Sequence, residues 1–318
     1  MHSLSQTDTN TSQFPAALAD DVSDLSSASL SEATRRAYRG HCRSFARWCS
    51  QLGLPSYPTT PEIVAGWITH LVQQGKRPST ISQSVSAISA VHTLRGGPNL
   101  RHTSQVKRAL SGAARTLGVA PQKKEAATAS ILMQMIASIA DDTLKAKRDR
   151  ALLALGFSGA LRRSELVALQ VEDIQSVPGG ALVTIRRSKT DQTGEGQTIG
   201  IPAGVSIRPL EHLNAWLEAS EVTEGLIFRR LNRHGHILGP LSASAVAEIV
   251  KSVAQNIGLD PREFAGHSLR AGFITSGAEA GKDVLRIAEV SRHKNLEVLR
   301  GYVRRANLLR DHAGASFL

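Results

Sequence analysis

A histidine, an arginine and a tyrosine near the end of the chain are residue types that could act together on a phosphate. His267 and Arg270 are three residues apart in His-Ser-Leu-Arg, so a helix would present both on one face. Tyr302 lies 32 residues beyond Arg270, in Gly-Tyr-Val-Arg. Cationic donors hold phosphate oxygens through paired hydrogen bonds, and a nearby tyrosine hydroxyl could attack the phosphorus.

Other residues that could share this chemistry are spread over the second half of the chain. Arg162 opens a predicted helix in Leu-Arg-Arg-Ser-Glu-Leu, and Glu165 is placed to orient it. Lys189 falls at the tip of a predicted β-hairpin, where it could protonate a leaving oxygen, and His293 precedes Tyr302 by nine residues. Taken singly, each has an ordinary alternative: a surface ion pair, an i,i+3 helix pair, a solvated turn lysine, a capping histidine or a surface tyrosine.

The setting of Tyr302 is basic, because Arg300, Arg304 and Arg305 are close in sequence. A free phenol has a pKa of about 10. We expect these cations to lower the pKa of Tyr302 and favour its phenolate. By contrast, Tyr38 falls on the apolar face of a predicted helix and is expected to pack in a core.

The overall charge points to a polyanionic partner. The 318 residues carry a formal net charge of +11. Residues 1–34 contain five acidic and no basic side chains, so the rest of the chain carries +16. Nucleic acid is the usual polyanion, although a basic protein can also bind nothing specific. Aromatic residues make up only 4%, which favours contact with a duplex backbone over stacking on single strands.

Several classes of protein and site are disfavoured by what the sequence contains. Cys42 and Cys49 would lie about 10 Å apart along a helix, too far for a disulfide, and are predicted to be buried thiols in a reducing cytosol. The sequence shows no apolar run of about 20 residues, no signal peptide and no phosphate-binding glycine loop. His234-Gly-His236 is the segment most like a metal-binding motif, but we expect it to be a loop that contacts DNA or solvent. We therefore predict no cofactor, no metal and no membrane partner.

The first half of the chain predicts an acidic tail followed by a helical bundle. Residues 1–27 are expected to be disordered, and residues 28–118 to form four amphipathic helices. Thr60 and Pro61 predict one helix start, and Gly118 predicts the end of the last helix. The face of the first helix is predicted from Tyr38, Cys42, Phe45, Cys49 and Leu52.

The second half predicts a mostly helical domain with little strand. Polar, basic residues 119–128 are expected to be a solvated linker, and residues 129–318 to form the domain. Residues 181–187 and 197–201 alternate like a β-hairpin with a long tip. An apolar helix is predicted over 150–157, and further helices over about 206–218, 242–257, 267–280, 284–290 and 295–303.

The order and spacing of these motifs resemble those of the tyrosine recombinase (phage integrase) family over roughly residues 30 to 310. The resemblance rests on Gly159-Ala-Leu-Arg-Arg-Ser-Glu-Leu, Ser188-Lys-Thr, Gly266-His-Ser-Leu-Arg-Ala-Gly, and His293 with Gly301-Tyr-Val-Arg. It implies a mainly α (α+β) fold, with an N-terminal four-helix SAM-like core-binding domain that closes on DNA. A mostly helical catalytic domain with a small antiparallel sheet would follow.

The resemblance also implies a role for each matched residue. Arg162 and Arg270 would hold the scissile phosphate, with Glu165 as the acidic helper. Lys189 would be the general acid for the leaving 5′-hydroxyl, and His267 would assist proton transfer with the nucleophile. His293 would hydrogen-bond a phosphate oxygen, and Tyr302 would form a 3′-phosphotyrosine.

Two departures from the family pattern are visible. Arg292 stands where many members have glycine, which would alter the local turn or add a phosphate contact. The segment after Tyr302, which family members often pass to a neighbouring subunit, is short.

The resemblance implies a site-specific recombinase that cuts and rejoins duplex DNA without metal or ATP, as a homo-oligomer, with a tetramer on two sites. Such a protein is expected in the cytoplasm, on the nucleoid when it binds DNA. Two alternatives remain open: strand relaxation like that of a type IB topoisomerase, or a DNA-binding protein that has lost catalysis.

Overall fold

A computed structural model describes residues 31–118, 124–186, 196–293 and 295–306 of the chain. The chain divides into two compact units, Met1–Pro121 and Gln122–Leu318. The predicted tail, the hairpin tip that contains Lys189 and the segment after Ala306 lie outside the described residues. Among the described helices, none combines the length and apolar character that crossing a bilayer requires.

The first unit is helical, and its helix boundaries follow local sequence signals. Thr60 accepts a hydrogen bond from the Ile63 amide at 3.5 Å, and Pro61 occupies the first turn. Gly118, with φ +73°, ends the last helix, as predicted. The helices are α1 (Glu32–Gln51), α2 (Pro61–Gln73), α3 (Pro78–Leu94) and α4 (Ser104–Leu117).

The core of this unit is built around Trp67, whose indole Nε1–H donates to Ser84 Oγ at 2.9 Å. Phe45 and Cys49 of α1 are buried beside it. Both cysteines are free thiols, as predicted, but Cys42 is only partly buried, so the prediction of burial holds for Cys49 alone. The predicted apolar face of α1 is wrong at its end. Leu52 is 57% exposed because the helix stops at Gln51 and the chain turns away from the core.

The second unit contains an antiparallel sheet with strand order β1 (Ile174–Val177), β2 (Gly180–Ile185), β3 (Gln197–Pro202). Strands β2 and β3 are the predicted hairpin, and their inward residues Val183 and Ile199 are directly paired. Strand β1 was not predicted, nor was the short pair β4 (Arg229–Leu231) and β5 (Ile237–Pro240). β1 pairs with the next strand, β2, and β4 pairs with β5, so both are local hairpins, but strands of three or four residues are too short to alternate clearly.

Strands β2 and β3 alternate buried and exposed residues, so helices cover one face of the sheet, and together they bury a core that includes Leu152, Trp216 and Phe228. The predicted helix over 150–157 is longer than expected and extends back to Leu144. The helices are α5 (Ala129–Ala137), α6 (Leu144–Ser158), α7 (Arg163–Ala168), α8 (Pro209–Ser220), α9 (Ala243–Asn256), α10 (Ser268–Glu279), α11 (Val284–Ser291) and α12 (Leu296–Ala306).

The end of the predicted linker, residues 126–128, is packed in this unit instead of being solvated, whereas Lys124 and Glu125 are exposed. The Ala127 amide donates to Ser268 O at 3.0 Å, and Ala127 is fully buried. Gly272 of α10 makes this approach possible, because a Cβ at that position would lie 1.8 Å from Ala127 O. The backbone that lies against Gly272 is therefore that of Ala127 and Thr128 in the same chain.

Candidate active site

The end of α6 is a tight turn that orients the start of α7. The Ala160 amide donates to Phe157 O at 2.8 Å, and the Leu161 amide donates to Gly156 O at 2.9 Å. This hydrogen-bond pattern ends a helix in a left-handed residue, here Ala160 with φ 45°. The turn directs the Ala160 carbonyl into the unit and makes Arg162 the N-cap of α7.

Glu165, in the first turn of α7, binds two arginines. Its Oε1 accepts from Arg162 Nη1 at 2.6 Å, and its Oε2 accepts from the Arg162 amide at 2.9 Å. Arg292 Nη2 also donates to Oε2, at 2.8 Å. Burial raises the pKa of Glu165, but the Arg162 amide and the charge of Arg292 outweigh it, so the net pKa is below its ordinary value. Glu165 is therefore an ionised carboxylate that fixes Arg162.

Arg270 lies in the first turn of α10 and is 1% exposed. Its Nη1 donates to Ala160 O at 2.7 Å, and its Nη2 donates to His293 Nδ1 at 3.3 Å. Burial, followed by the charge of Arg162, lowers the pKa of Arg270 to about 9. The guanidinium therefore still carries its charge at neutral pH, at the bottom of the site.

Positive charge is in excess in this cluster. Arg162, Arg270 and Arg292 lie around a single carboxylate, Glu165, so three positive charges face one negative charge. Buried cations need anionic partners: the charges of Arg162 and Arg292 contribute to the lowered pKa of Arg270, and the charge of Arg162 contributes to that of Arg292. An anion such as a phosphate diester would complete the charge balance.

His293 is neutral, and its hydrogen bonds define which ring nitrogen carries the proton. Burial, followed by the charge of Arg270, lowers the pKa of His293 to about 4. Because a guanidinium can only donate, Nδ1 must accept from Arg270. The Ser291 hydroxyl, 2.9 Å from the same nitrogen, also donates to it. The proton is therefore on Nε2, which is left as a donor.

His267 comes directly before α10 and is also neutral near pH 7. Burial, followed by the charges of Arg270 and Arg162, lowers the pKa of His267. Gly266 lets the chain pass against α7, because a Cβ there would lie 2.4 Å from Arg163 Cδ. A neutral imidazole beside the arginines can accept a proton, which an imidazolium could not.

Tyr302 lies on α12, which packs against α10 and α11. It is partly buried at the edge of an apolar cluster that includes Ile274 and Leu299. Burial raises the pKa of Tyr302, and the nearby charge of Arg270 offsets this only in part. The expectation that cations hold this tyrosine as a phenolate is therefore wrong, because desolvation of the anion outweighs their attraction. A proton acceptor is required.

Arg292 does not present its side chain to a ligand. It has φ 55° and is 6% exposed. Its Nη1 donates to Gly159 O at 3.0 Å and Val290 O at 2.6 Å, and its Nη2 donates to Ala160 O at 3.2 Å and to Glu165. The φ of Arg292 lies in the left-handed region that glycine favours, so the expected change of the turn stays a prediction. The four hydrogen bonds given for its Nη atoms all go to acceptors of the protein itself.

The structure thus pairs Arg162 with Glu165 and Arg270 with His293 by direct hydrogen bonds. Arg292 connects the two pairs through Glu165 and the Ala160 carbonyl, and His267 and Tyr302 lie within electrostatic reach. Lys189 lies outside the described residues. Sequence reasoning missed Ser291, which lies outside the quoted motifs, and the Ala160 carbonyl, because a motif read by side chains does not show what a backbone oxygen accepts. In the part of the chain that is described, no group of three or more His, Cys, Asp or Glu side chains could hold a metal ion.

Comparison with known proteins gives consistent matches at the level of sequence. The model of the "Phage integrase family" matches residues 128–308. An "Integrase/recombinase xerD homolog" from Selenomonas ruminantium is 36% identical over 296 residues, covering 90% of this chain and 85% of that protein. A "Tyrosine recombinase XerC" from Pseudomonas fluorescens is 25% identical over 286 residues, covering 86% of this chain and 85% of that one.

Solved structures share the fold at low sequence identity. A lambda integrase dimer bound to a COC′ core site has a TM-score of 0.62 at 19% identity, covering 90% of this chain and 94% of that one. The XerH site-specific recombinase, in a post-cleavage complex with a palindromic difH substrate, has a TM-score of 0.61 at 16% identity. That match covers 81% of this chain and 73% of XerH.

Proposed function

The chain belongs to the phage integrase family of tyrosine recombinases, and from this premise we propose that it cuts and rejoins duplex DNA at a specific site with Tyr302 as nucleophile. The observation that carries the proposal is the buried Arg270. It is bonded to His293, surrounded by excess positive charge, and close enough to Tyr302 to act on its phenol. A DNA phosphate is the anion that suits this cluster.

In the proposed reaction, Arg162 and Arg270 bind non-bridging oxygens of the scissile phosphate. Their charge stabilises the negative charge that grows there as the nucleophile arrives. The Nε2–H of His293 donates to a phosphate oxygen. These groups occupy fixed positions before DNA binds, because Glu165 and the Ala160 carbonyl already hold the two arginines.

The proton steps follow from the states of the side chains. Tyr302 Oη bonds to phosphorus while its proton passes to the neutral His267. The bond from phosphorus to the 5′-oxygen breaks, and Lys189 supplies the proton that this oxygen takes up. The product is a 3′-phosphotyrosine and a free 5′-hydroxyl.

Rejoining is the reverse reaction with a different 5′-hydroxyl. Each cleavage replaces one phosphoester bond, to the 5′-oxygen, by another, to Tyr302, so no ATP is consumed. Exchange of all four strands of two duplexes needs four such cleavages, which is why we propose a homotetramer on two sites. In this proposal the first unit is the core-binding domain, and residues 119–128 connect it to the second unit. The protein acts in the cytoplasm, on the nucleoid DNA.

The test is covalent capture on DNA. Full-length protein is incubated with a pool of nicked duplexes that carry randomised half-sites and release the short 5′-hydroxyl fragment after cleavage. We expect a covalent adduct that resists denaturation and disappears in Tyr302→Phe. Tyr38→Phe, in α1, is the matched control and should retain it.

Other outcomes would identify the alternatives. Duplex binding without any adduct would favour a protein that has lost catalysis. Adducts that form without sequence preference, with relaxation of any supercoiled plasmid, would favour a topoisomerase.

A further inference from the structure

Arg292 combines two features that are unfavourable one by one. Its φ of 55° lies in the left-handed region, where a Cβ is disfavoured and glycine is preferred. Its guanidinium is buried in the second unit, where a charge needs partners. Together they indicate that this side chain has a specific task, because a glycine would suit the backbone better.

The partners of Arg292 are the groups that hold the two proposed phosphate-binding arginines. Glu165 Oε2, which accepts from Arg292 at 2.8 Å, also accepts from the Arg162 amide. The Ala160 carbonyl accepts from Arg292 at 3.2 Å and from Arg270 at 2.7 Å. The Arg292 guanidinium thus shares one acceptor, Glu165, with Arg162 and another, the Ala160 carbonyl, with Arg270.

The position of Arg292 in the chain adds a third connection. It lies between Ser291 and His293, whose side chains are hydrogen-bonded at 2.9 Å. The anchored guanidinium and the left-handed turn therefore fix the backbone from which His293 reaches Arg270.

We propose that Arg292 is a positioning residue. It holds Arg162 through Glu165, Arg270 through the Ala160 carbonyl, and His293 through the backbone, without contacting DNA itself. The inference rests on the proposed function for the identity of the bound phosphate. A planar guanidinium suits the task, since its donors lie in fixed directions and can meet carbonyl and carboxylate acceptors at once.

The experiment measures single-turnover adduct formation and duplex binding for full-length Arg292→Gly. Glycine suits the backbone, so the change removes mainly the guanidinium. We expect adduct formation to slow about 100-fold, as for a small misplacement of catalytic groups, while the Kd for duplex changes less than about threefold. An unchanged cleavage rate would overturn the proposal. An equal loss of cleavage and of duplex binding, with duplex binding less dependent on salt, would also overturn it, because that pattern indicates direct contact between Arg292 and a phosphate.

A double variant separates positioning from general stability. In a Glu165→Gln background, where the path from Arg292 to Arg162 is already weakened, Arg292→Gly should slow cleavage much less than in the native protein. Equal fold-changes in both backgrounds would contradict the proposed path. Leu213→Ala, a core change on α8, is the stability control and should retain cleavage below its unfolding temperature.

Two further measurements keep the test decisive. Arg292→Lys preserves the charge but not the planar set of donors, so cleavage should fall about tenfold even if the glycine variant does not fold. Native-like cleavage in Arg292→Lys would count against the proposal. The charge of Arg292 itself lowers the pKa of His293, so the informative variant is Arg292→Lys, which keeps that charge. In protein without DNA, NMR titration of the His293 ring should shift in Arg292→Lys and stay unchanged in Leu213→Ala, and an unshifted titration in Arg292→Lys would contradict the proposal. The NMR titration tests the positioning role of Arg292 even if native protein forms no adduct.

Discussion

Arg270 donates to Nδ1 of His293, and this single contact fixes the imidazole as the Nε2–H tautomer. A guanidinium that is buried and pinned to the Ala160 carbonyl thereby determines what the histidine offers to a ligand. The same arginine is the cation whose charge reaches Tyr302. The proposed phosphate-binding site and the proposed nucleophile are thus linked through one side chain.

The first prediction concerns the donor on His293. His293→Gln keeps an N–H donor and should cleave within about tenfold of the native rate, whereas His293→Leu removes the donor and should lose about 100-fold or more. Single-turnover adduct formation measures both. Equal losses in the two variants would show that the Nε2–H is not what the reaction uses.

The pKa of His293 also predicts how stability depends on pH. A pKa lowered to about 4 means that the unfolded state binds the proton more readily. The native state should therefore lose stability as pH falls from about 6.5 towards 4, and be unaffected by this group above that window. Urea unfolding of native protein and His293→Gln across the window measures it. The difference between their unfolding free energies should change with pH, and a constant difference would refute the lowered pKa.

A second pH effect should appear in the reaction itself. With His267 as proton acceptor, cleavage should fall as this group becomes protonated, at a pH below its ordinary value of 6.5 because its pKa is lowered. Tyr302 should contribute no inflection near neutral pH, since its own pKa is raised. The acid limb should be missing in His267→Gln. Its persistence in that variant would assign the limb to another group.

Glu165 should be important for stability as well as for the reaction. Replacing it by alanine leaves Arg162 and Arg292 without their shared carboxylate, and removing one partner of a buried pair costs about 3–5 kcal/mol. Glu165→Gln keeps hydrogen-bonding groups and should cost less. Denaturant unfolding measures both, and an alanine variant as stable as native protein would contradict the buried network.

Two glycines provide a matched test of the packing around α10. Gly272→Ala would push a Cβ against Ala127 O and displace residues 126–128, at a cost of about 1–3 kcal/mol or more. Gly301→Ala, on an open face of α12, should instead stabilise by about 0.5–1 kcal/mol, because alanine favours the helix. Thermal unfolding of the two variants should move in opposite directions. A common direction would show that the close approach at Gly272 is not as described.

The sequence predicted what local signals determine. Thr60 and Pro61 mark a helix start by chemistry within one turn, and Gly118 marks an end in the same way. The motif residues around Arg162 and Arg270 also stood out, because their types suit phosphate. Strand β1 and the pair β4 and β5 did not, since three or four residues are too few to show an alternating pattern, although their hairpin pairings are local.

Long-range contacts explain the other differences. Arg292 meets Glu165 from 127 residues away, and no local pattern indicates that contact. The polar composition of residues 124–128 predicted solvent exposure, but backbone hydrogen bonds to Glu263 and Ser268 hold them in the second unit. The pKa of Tyr302 depended on burial, which the basic residues near it in sequence do not reveal.

The most direct test of the account is to locate the DNA on the protein. After capture on a nicked duplex, the adduct is digested with nuclease and trypsin and analysed by mass spectrometry. Trypsin should release the peptide Gly301–Arg304, and we predict a nucleotide joined through its 3′-phosphate to Tyr302. A nucleotide on any other residue, or one joined through its 5′-phosphate, would contradict the account.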